Sequence, residues 1–310
     1  MIKSFQLAEG RLLPVASLNA DVMLFMAPDV GERMRLHSHF DIDEHALASA
    51  LDPDEVSRIE FRANNLFMIW KSPESYSGNN GFSFGVSSFG LVLCERRLLL
   101  ISKDDSQLND LGTHRPLQQP IDVLLDLLAN SVHHYLGHLK VIKMVGRELQ
   151  QRLNSSLENQ HFIQMFNLSE SLIYYINAIH GNGTVLARLR NHAQKLAFEP
   201  HTMDLIDDLI IENEQCYKQA EIYSTVFAGL MDARGNLVNN NMNALLRKLT
   251  VINVVFLPLN LIAGIGGMSE YSMMTATIPW WISYPAFCMA MVGVGGLMVQ
   301  MLKRMAQRVA

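Results

Sequence analysis

Up to about residue 115, short apolar runs alternate with turn residues. Arg58–Phe61, Leu66–Trp70, Phe82–Cys94 and Leu98–Ser102 have the length and apolar content of strands. Ser77-Gly78-Asn79-Asn80-Gly81 predicts a loop, and Glu95-Arg96-Arg97 a turn between the last two strands. Asp43–Leu51, closed by Asp52-Pro53, predicts a short helix. Strands mixed with a helix predict a small α/β domain over 1–115.

From Pro120 the pattern is helical. Ile121–Leu157, Phe162–His180 and Thr184–Phe198 are helix-length segments, with Gly181-Asn182-Gly183 a stop between the second and third. After Thr202 no proline occurs until Pro258, and only Gly229 and Gly235 interrupt. This predicts one continuous helix from about 202 to 264, on the order of 95 Å long. Such a helix is marginal without partners.

The charges divide the chain a second way. Leu249–Ala310 holds only Glu270, Lys303, Arg304 and Arg308, so Leu249–Ser269 and Tyr271–Leu302 are uncharged runs of 21 and 32 residues. Twenty-one helical residues span roughly 31 Å, the thickness of a bilayer's hydrocarbon. Two membrane-spanning helices are predicted, 247–267 and 279–302. A buried soluble hairpin is the less economical reading of such lengths. Arg247 and Lys248 precede the first span, Lys303, Arg304 and Arg308 follow the second, and the loop between them holds no basic residue. That bias predicts both termini in the cytoplasm and loop 268–278 outside, with Trp280, Trp281 and Tyr284 at the outer interface. The expected organisation is therefore 1–115 cytosolic α/β, 116–201 cytosolic helical, 202–246 stalk, two spans, and a basic tail at 303–310. No apolar leader is expected at the N-terminus.

Whole-chain composition had hidden this division. The net charge of −5 and the hydrophobic content of 49% are those of an ordinary soluble protein. Split at Leu249, the upstream part carries 22 of the 25 basic and 29 of the 30 acidic residues, a net −7. An acidic body argues against nucleic-acid binding. Three cysteines without a CxxC pair make no disulfide framework and no zinc ribbon. No nucleotide-binding loop, nucleophile elbow or pair of catalytic carboxylates stands in a recognisable setting, so no enzyme is expected.

The long helix carries a stripe. At alternating steps of four and three the positions are Asp232, Asn236, Asn239, Asn243, Leu246, Thr250, Asn253, Leu257, Asn260 and Gly264. At 100° per residue they fall within about 120° of arc. Hydrocarbon cannot satisfy these groups, so the stripe must face protein or water. Interhelical hydrogen bonding accounts for one or two asparagines. A water-filled path lined by several copies of the helix accounts for the whole register. Neutral amide and hydroxyl oxygens suit hard cations or their hydration shells. Pro258 also leaves the Val254 carbonyl without its helical donor, which predicts a kink or a further oxygen site.

Asn243, Leu249-Thr250, Phe256-Leu257-Pro258-Leu259 and Ile262-Ala263-Gly264, followed by Gly267-Met268-Ser269, resemble the CorA-type two-span divalent-cation transporters, which include magnesium and zinc members. The resemblance implies a funnel-shaped homopentamer in the bacterial inner membrane, with no resident cofactor and a divalent cation such as Mg²⁺ or Zn²⁺ as cargo. It implies a pore lined by Asp232, Asn243, Leu249, Leu257, Asn260, Gly264 and position 269, with Leu249 and Leu257 as hydrophobic constrictions. The family carries Gly-Met-Asn where this chain has Gly267, Met268 and Ser269. Serine's shorter hydroxyl would widen that ring, and Glu270 would supply a carboxylate beside it. Asp232, Asn260, Ser269 and Glu270 are thus the expected ion-contacting residues. A non-conducting scaffold or sensor of the same fold is the alternative.

Weaker patterns remain. His37, His39, Asp41, Asp43, Glu44 and His45 could form a metal cluster, or Asp41 or Asp43 a helix cap. His134 and His138, four apart, could share a zinc or lie on a solvated face. Met273-Met274 reads better as apolar filler than as a copper site. Gly293, Gly295 and Gly296 suit close helix packing.

Overall fold

The computed structural model describes residues 1–17, 19–62, 65–75, 83–94, 96–108, 111–113, 115–155 and 159–309. The chain divides into two compact units, Met1–Met231 and Asp232–Ala310.

The first unit is built on a seven-stranded sheet: β1 (Ile2–Ala8), β2 (Arg11–Val15), β3 (Val22–Met26), β4 (Arg58–Phe61), β5 (Asn65–Pro73), β6 (Val86–Cys94) and β7 (Arg97–Ser102). The order is β2-β1-β3-β7-β6-β5-β4, antiparallel throughout except for the central β3–β7 pair, with Val22 opposite Leu98. Alternation along each strand gives the sheet two buried faces. Met23, Phe25, Phe67, Ile69, Leu99 and Ile101 point to one side, against Leu36 of α1 (Val30–Phe40) and Ala46, Leu47 and Ala50 of α2 (Glu44–Leu51). Val22, Leu24, Met68, Trp70, Leu98 and Leu100 point to the other. There they meet α3 (Pro120–Ser155), α4 (Asn159–His192) and the first part of α5 (Pro200–Gly266). A sheet with helices on both faces makes this unit an α/β sandwich.

β4 begins and ends where the sequence placed it, β5 extends its predicted run by one residue at the start and three at the end, and β7 extends its own by one. β6 starts at Val86 rather than Phe82; residue 82, the 77–81 loop and Glu95 lie outside the described residues. The helix expected after Asp43 is α2, with the Asp43 carboxylate accepting from the Ala46 amide at 2.6 Å. Three strands and a helix were missed. β1 and β2 are only half-buried and have no clean alternation of apolar residues. α1 has one fully buried residue, Leu36, so its sequence reads as a polar segment. Its start is fixed instead by a capping box between Asp29 and Glu32.

The stop expected at Gly181-Asn182-Gly183 is not a stop: α4 runs through it. Asn182 is fully buried, and its amide bonds the Lys71 carbonyl at 2.7 Å while its oxygen accepts from the Lys71 amide and the Ser57 hydroxyl. β4 pairs with β5 only as far as Ile69, so this side chain takes the place of a strand partner for Lys71. The flanking glycines permit the approach. A Cβ on Gly181 would lie 3.1 Å from the Ser57 hydroxyl, and one on Gly183 2.9 Å from the Asn213 amide nitrogen. Tertiary contact here outweighs a glycine penalty of about 1 kcal/mol per residue. α4 ends at His192 rather than near Phe198, and a turn with Ala197 in the left-handed region leads to α5.

The second unit contains the end of α5, the short α6 (Ser269–Met274) and α7 (Trp280–Val309). α5 is the single long helix the sequence predicted, 67 residues, continuous through Pro258.

Candidate functional site

The geometry of the second unit follows from how α7 lies on α5. Two contacts set their register. A Cβ on Gly295 would touch the Leu259 side chain at 3.4 Å, and one on Gly266 would lie 2.6 Å from the tip of the Phe287 ring. Two helices running in opposite directions, matched at 259 with 295 and at 266 with 287, bring Leu249 level with Arg304. The uncharged lengths of both helices therefore cover the same depth, and their basic ends fall in one layer. Both are long and apolar enough to cross a membrane. Of the three glycines expected to serve close packing, Gly295 does so here, whereas Gly293 and Gly296 have no neighbour within 4 Å.

The same packing decides which side of α5 is free. Val255, Pro258, Leu259, Ile262 and Gly266 are half-buried, and all face α7. On α7 the half-buried residues Ser283, Phe287, Met291, Val294, Gly295, Met298 and Leu302 form one face. Counted at 100° per residue, the covered side of α5 lies about 150° from the centre of the polar stripe. Asp232, Asn236, Asn239, Asn243, Leu246, Thr250, Asn253, Leu257, Asn260 and Gly264 are all exposed in the single chain, as is Leu249 at the stripe's edge. Alongside α7 the structure keeps Leu257, Asn260 and Gly264 on the uncovered face, and from 235 to 254 every residue of α5, the stripe included, is exposed in the single chain.

Within that face the polar groups point outward. Among the described residues, no hydrogen bond inside the chain engages the amides of Asn236, Asn239, Asn243, Asn253 or Asn260. Thr250 donates its hydroxyl proton to the Leu246 carbonyl at 2.8 Å, which leaves its oxygen lone pairs toward the stripe. The stripe therefore presents chiefly neutral oxygen acceptors and amide donors, with one carboxylate, Asp232, at its start.

α5 ends at Gly266. The Gly267 amide closes on the Ala263 and Gly264 carbonyls at 3.1 and 3.2 Å, and the Met268 amide on that of Ile265 at 3.1 Å. Gly267 and Met268 form the turn, and Ser269 opens α6 as an exposed residue. Glu270 follows on α6; its side chain lies outside the described residues. The segment expected as a plain outer loop thus contains a short helix.

The weaker patterns resolve locally. His37 pairs with the Ile42 carbonyl at 3.3 Å, His39 with the Ser38 hydroxyl at 2.8 Å, and Asp43 caps α2. His138 bonds the Tyr175 hydroxyl at 2.7 Å. Among the described residues no three His, Cys, Asp or Glu side chains group as metal ligands. What the sequence reading missed was the Phe287–Gly266 contact. Its signal was a large residue eight positions before a small one on α7, mirrored by Leu259 and Gly266, seven apart, on α5.

An α/β sandwich joined through one long helix to an antiparallel pair of apolar helices, the first with a polar face, defines a class of two-span membrane protein. The chain belongs to the family described as CorA-like Mg2+ transporter protein, whose pattern matches residues 23–304. It is similar to the cobalt/magnesium transport protein CorA of Methanocaldococcus jannaschii, 23% identical over 251 residues covering 78% of this chain and 77% of that one. The protein of the same description from Thermotoga maritima is 23% identical over 283 residues, 87% and 78% of the two chains. The complete structure of the CorA magnesium transporter from Methanocaldococcus jannaschii has the same fold, with a TM-score of 0.76 over 98% of this chain and 96% of that one, at 20% identity.

Proposed function

We propose that the chain assembles as a homopentamer in the bacterial inner membrane and passes divalent cations through a path lined by α5. The observation that carries this reading is the opposition just described: where α7 packs on α5, between Val255 and Gly266, it covers one side and leaves Leu257, Asn260 and Gly264 of the stripe free on the other. Hydrocarbon cannot satisfy that stripe, and copies of α5 facing one another around water satisfy it along its whole length. The named activity of the CorA relatives supports the same reading.

In this assembly Asp232 forms a carboxylate ring that collects cations, and Asn236, Asn239 and Asn243 continue the path toward the membrane. Leu249 and Leu257 are hydrophobic constrictions, with Leu246, Thr250 and Asn253 between and beside them. Asn260, Gly264 and the Gly267-Met268-Ser269 turn, with Glu270, form the outer end that meets the ion. Neutral rings suit a cation that keeps part of its hydration shell, because Mg²⁺ dehydrates reluctantly. Arg247, Lys248, Lys303, Arg304 and Arg308 hold both ends of the hairpin in the cytoplasm, with 268–278 outside.

Purified protein in liposomes tests the reading. Uptake of Mg²⁺, Zn²⁺, Co²⁺ or Ni²⁺ above empty vesicles is expected, and Asn260→Leu should reduce it by roughly tenfold or more by removing the polar ring. No uptake of any of these ions would sink it in favour of a non-conducting scaffold.

A further inference from the structure

The turn that carries Ser269 is held from behind. The ring of Phe287 meets Gly266 end-on: a Cβ there would lie 2.6 Å from Cζ and 3.0 and 3.1 Å from the two Cε atoms. Gly266 is the last residue of α5, and the chain turns through Gly267 and Met268 immediately afterwards. Behind the contact is a cleft of about 970 Å³, lined among others by Gly266, Gly267, Thr275, Ser283, Tyr284 and Phe287. The turn has open space on that side, and the Phe287 ring occupies the approach to it.

We propose that Phe287 is a positioning residue for ion selection: its ring, seated against Gly266, sets how far the Gly267-Met268-Ser269 turn stands from α7 and hence the width of the ring of Ser269 hydroxyls. This rests on the reading of that turn as the ion-contacting end of the path. An aromatic ring is a rigid spacer, and glycine is the one residue at 266 that admits it at this distance. Truncating the ring lets the turn relax into the cleft and widens the opening. Adding a methyl group at 266 forces the two helices apart at the same point. Both changes alter the fit to a hydrated ion without removing any group that touches it.

The test is competitive uptake of Mg²⁺, Co²⁺ and Ni²⁺ into liposomes by the full chain and its variants, with assembly checked by size-exclusion chromatography. Phe287→Ala and Gly266→Ala should each change the Co²⁺:Mg²⁺ uptake ratio by about threefold or more, on the scale that a small displacement of a liganding group produces. Phe287→Leu should give a smaller shift, and it carries the comparison if Phe287→Ala fails to assemble. Gly266→Ala combined with Phe287→Leu should return the ratio toward that of the unmodified protein, because a smaller side chain makes room for the methyl group. Val292→Ala, on the exposed side of α7, should leave the ratio unchanged. A unmodified chain that transports, with assembled Phe287 and Gly266 variants of unchanged ratio, overturns this inference alone. An unmodified chain that takes up no ion overturns the transport reading, and this inference with it.

Discussion

Asn182 illustrates what one side chain decides. Four polar groups, two from Lys71, the Ser57 hydroxyl and its own amide, are satisfied by a residue the sequence marks as a helix breaker. Asn182→Ala would leave the part-buried Lys71 amide without its acceptor, and should lower unfolding stability by about 1–3 kcal/mol. Denaturant unfolding of the detergent-solubilised chain reads that directly; a change within experimental error would mean water replaces the amide. His138 gives a second residue-scale prediction. Burial first, and then the charge of His134, hold its imidazole below the ordinary 6.5, and its partner Tyr175 is raised by burial and by Glu74. A depressed imidazole pKa means the unfolded chain binds the proton more readily. Its stabilising contribution is therefore intact above about pH 6.5 and declines as pH falls below that value. The melting temperature should drop on acidification from about pH 7.5 to 5.5, and less steeply in His138→Gln. Neither role was legible in the sequence, because both depend on partners that are distant in the chain.

At the scale of elements, the long helix was the most legible part of the fold. Its bounds and continuity followed from the spacing of Pro and Gly, which are local backbone properties. The strands were legible in β5 and β7 and illegible at the half-buried edge formed by β1 and β2, while the short central β3, though buried, was missed as well. Close packing between elements was invisible until the chain folded. α2 lies so near β6 that a Cβ on Gly90 would come 2.7 Å from that of Ala50. Gly90→Ala should therefore cost about 1–3 kcal/mol through forced separation of helix and sheet. Gly90→Ala combined with Ala50→Gly should recover much of that loss in the same unfolding measurement.

At the scale of the whole molecule, charge is the informative quantity. The part of the chain before Leu249 carries a net −7, so five copies would bring roughly −35 to one side of the membrane. In the proposed assembly Asp232 is the carboxylate at the start of the stripe, within that acidic part of the chain. Asp232→Asn should raise the ion concentration needed for half-maximal uptake while leaving the maximal rate within about twofold. The difference should shrink at high ionic strength, where the Debye length falls to about 3 Å at 1 M salt. An effect confined to the maximal rate, and independent of salt, would place Asp232 outside the collection step.

The sequence by itself determined the two uncharged spans, the single long helix and the asparagine register, because hydropathy, proline spacing and helical periodicity are properties of neighbouring residues. Tertiary structure decided which face of α5 is covered. Gly266 and Gly295 admit Phe287 and Leu259, that pairing sets the register of α7, and the register leaves the asparagine side open. It decided likewise that Gly181-Asn182-Gly183 continues a helix, since Asn182 from that position bonds both backbone groups of Lys71 beyond the end of the β4 pairing. Periodicity names the residues of a face; only packing between elements separated in the chain says which face remains free.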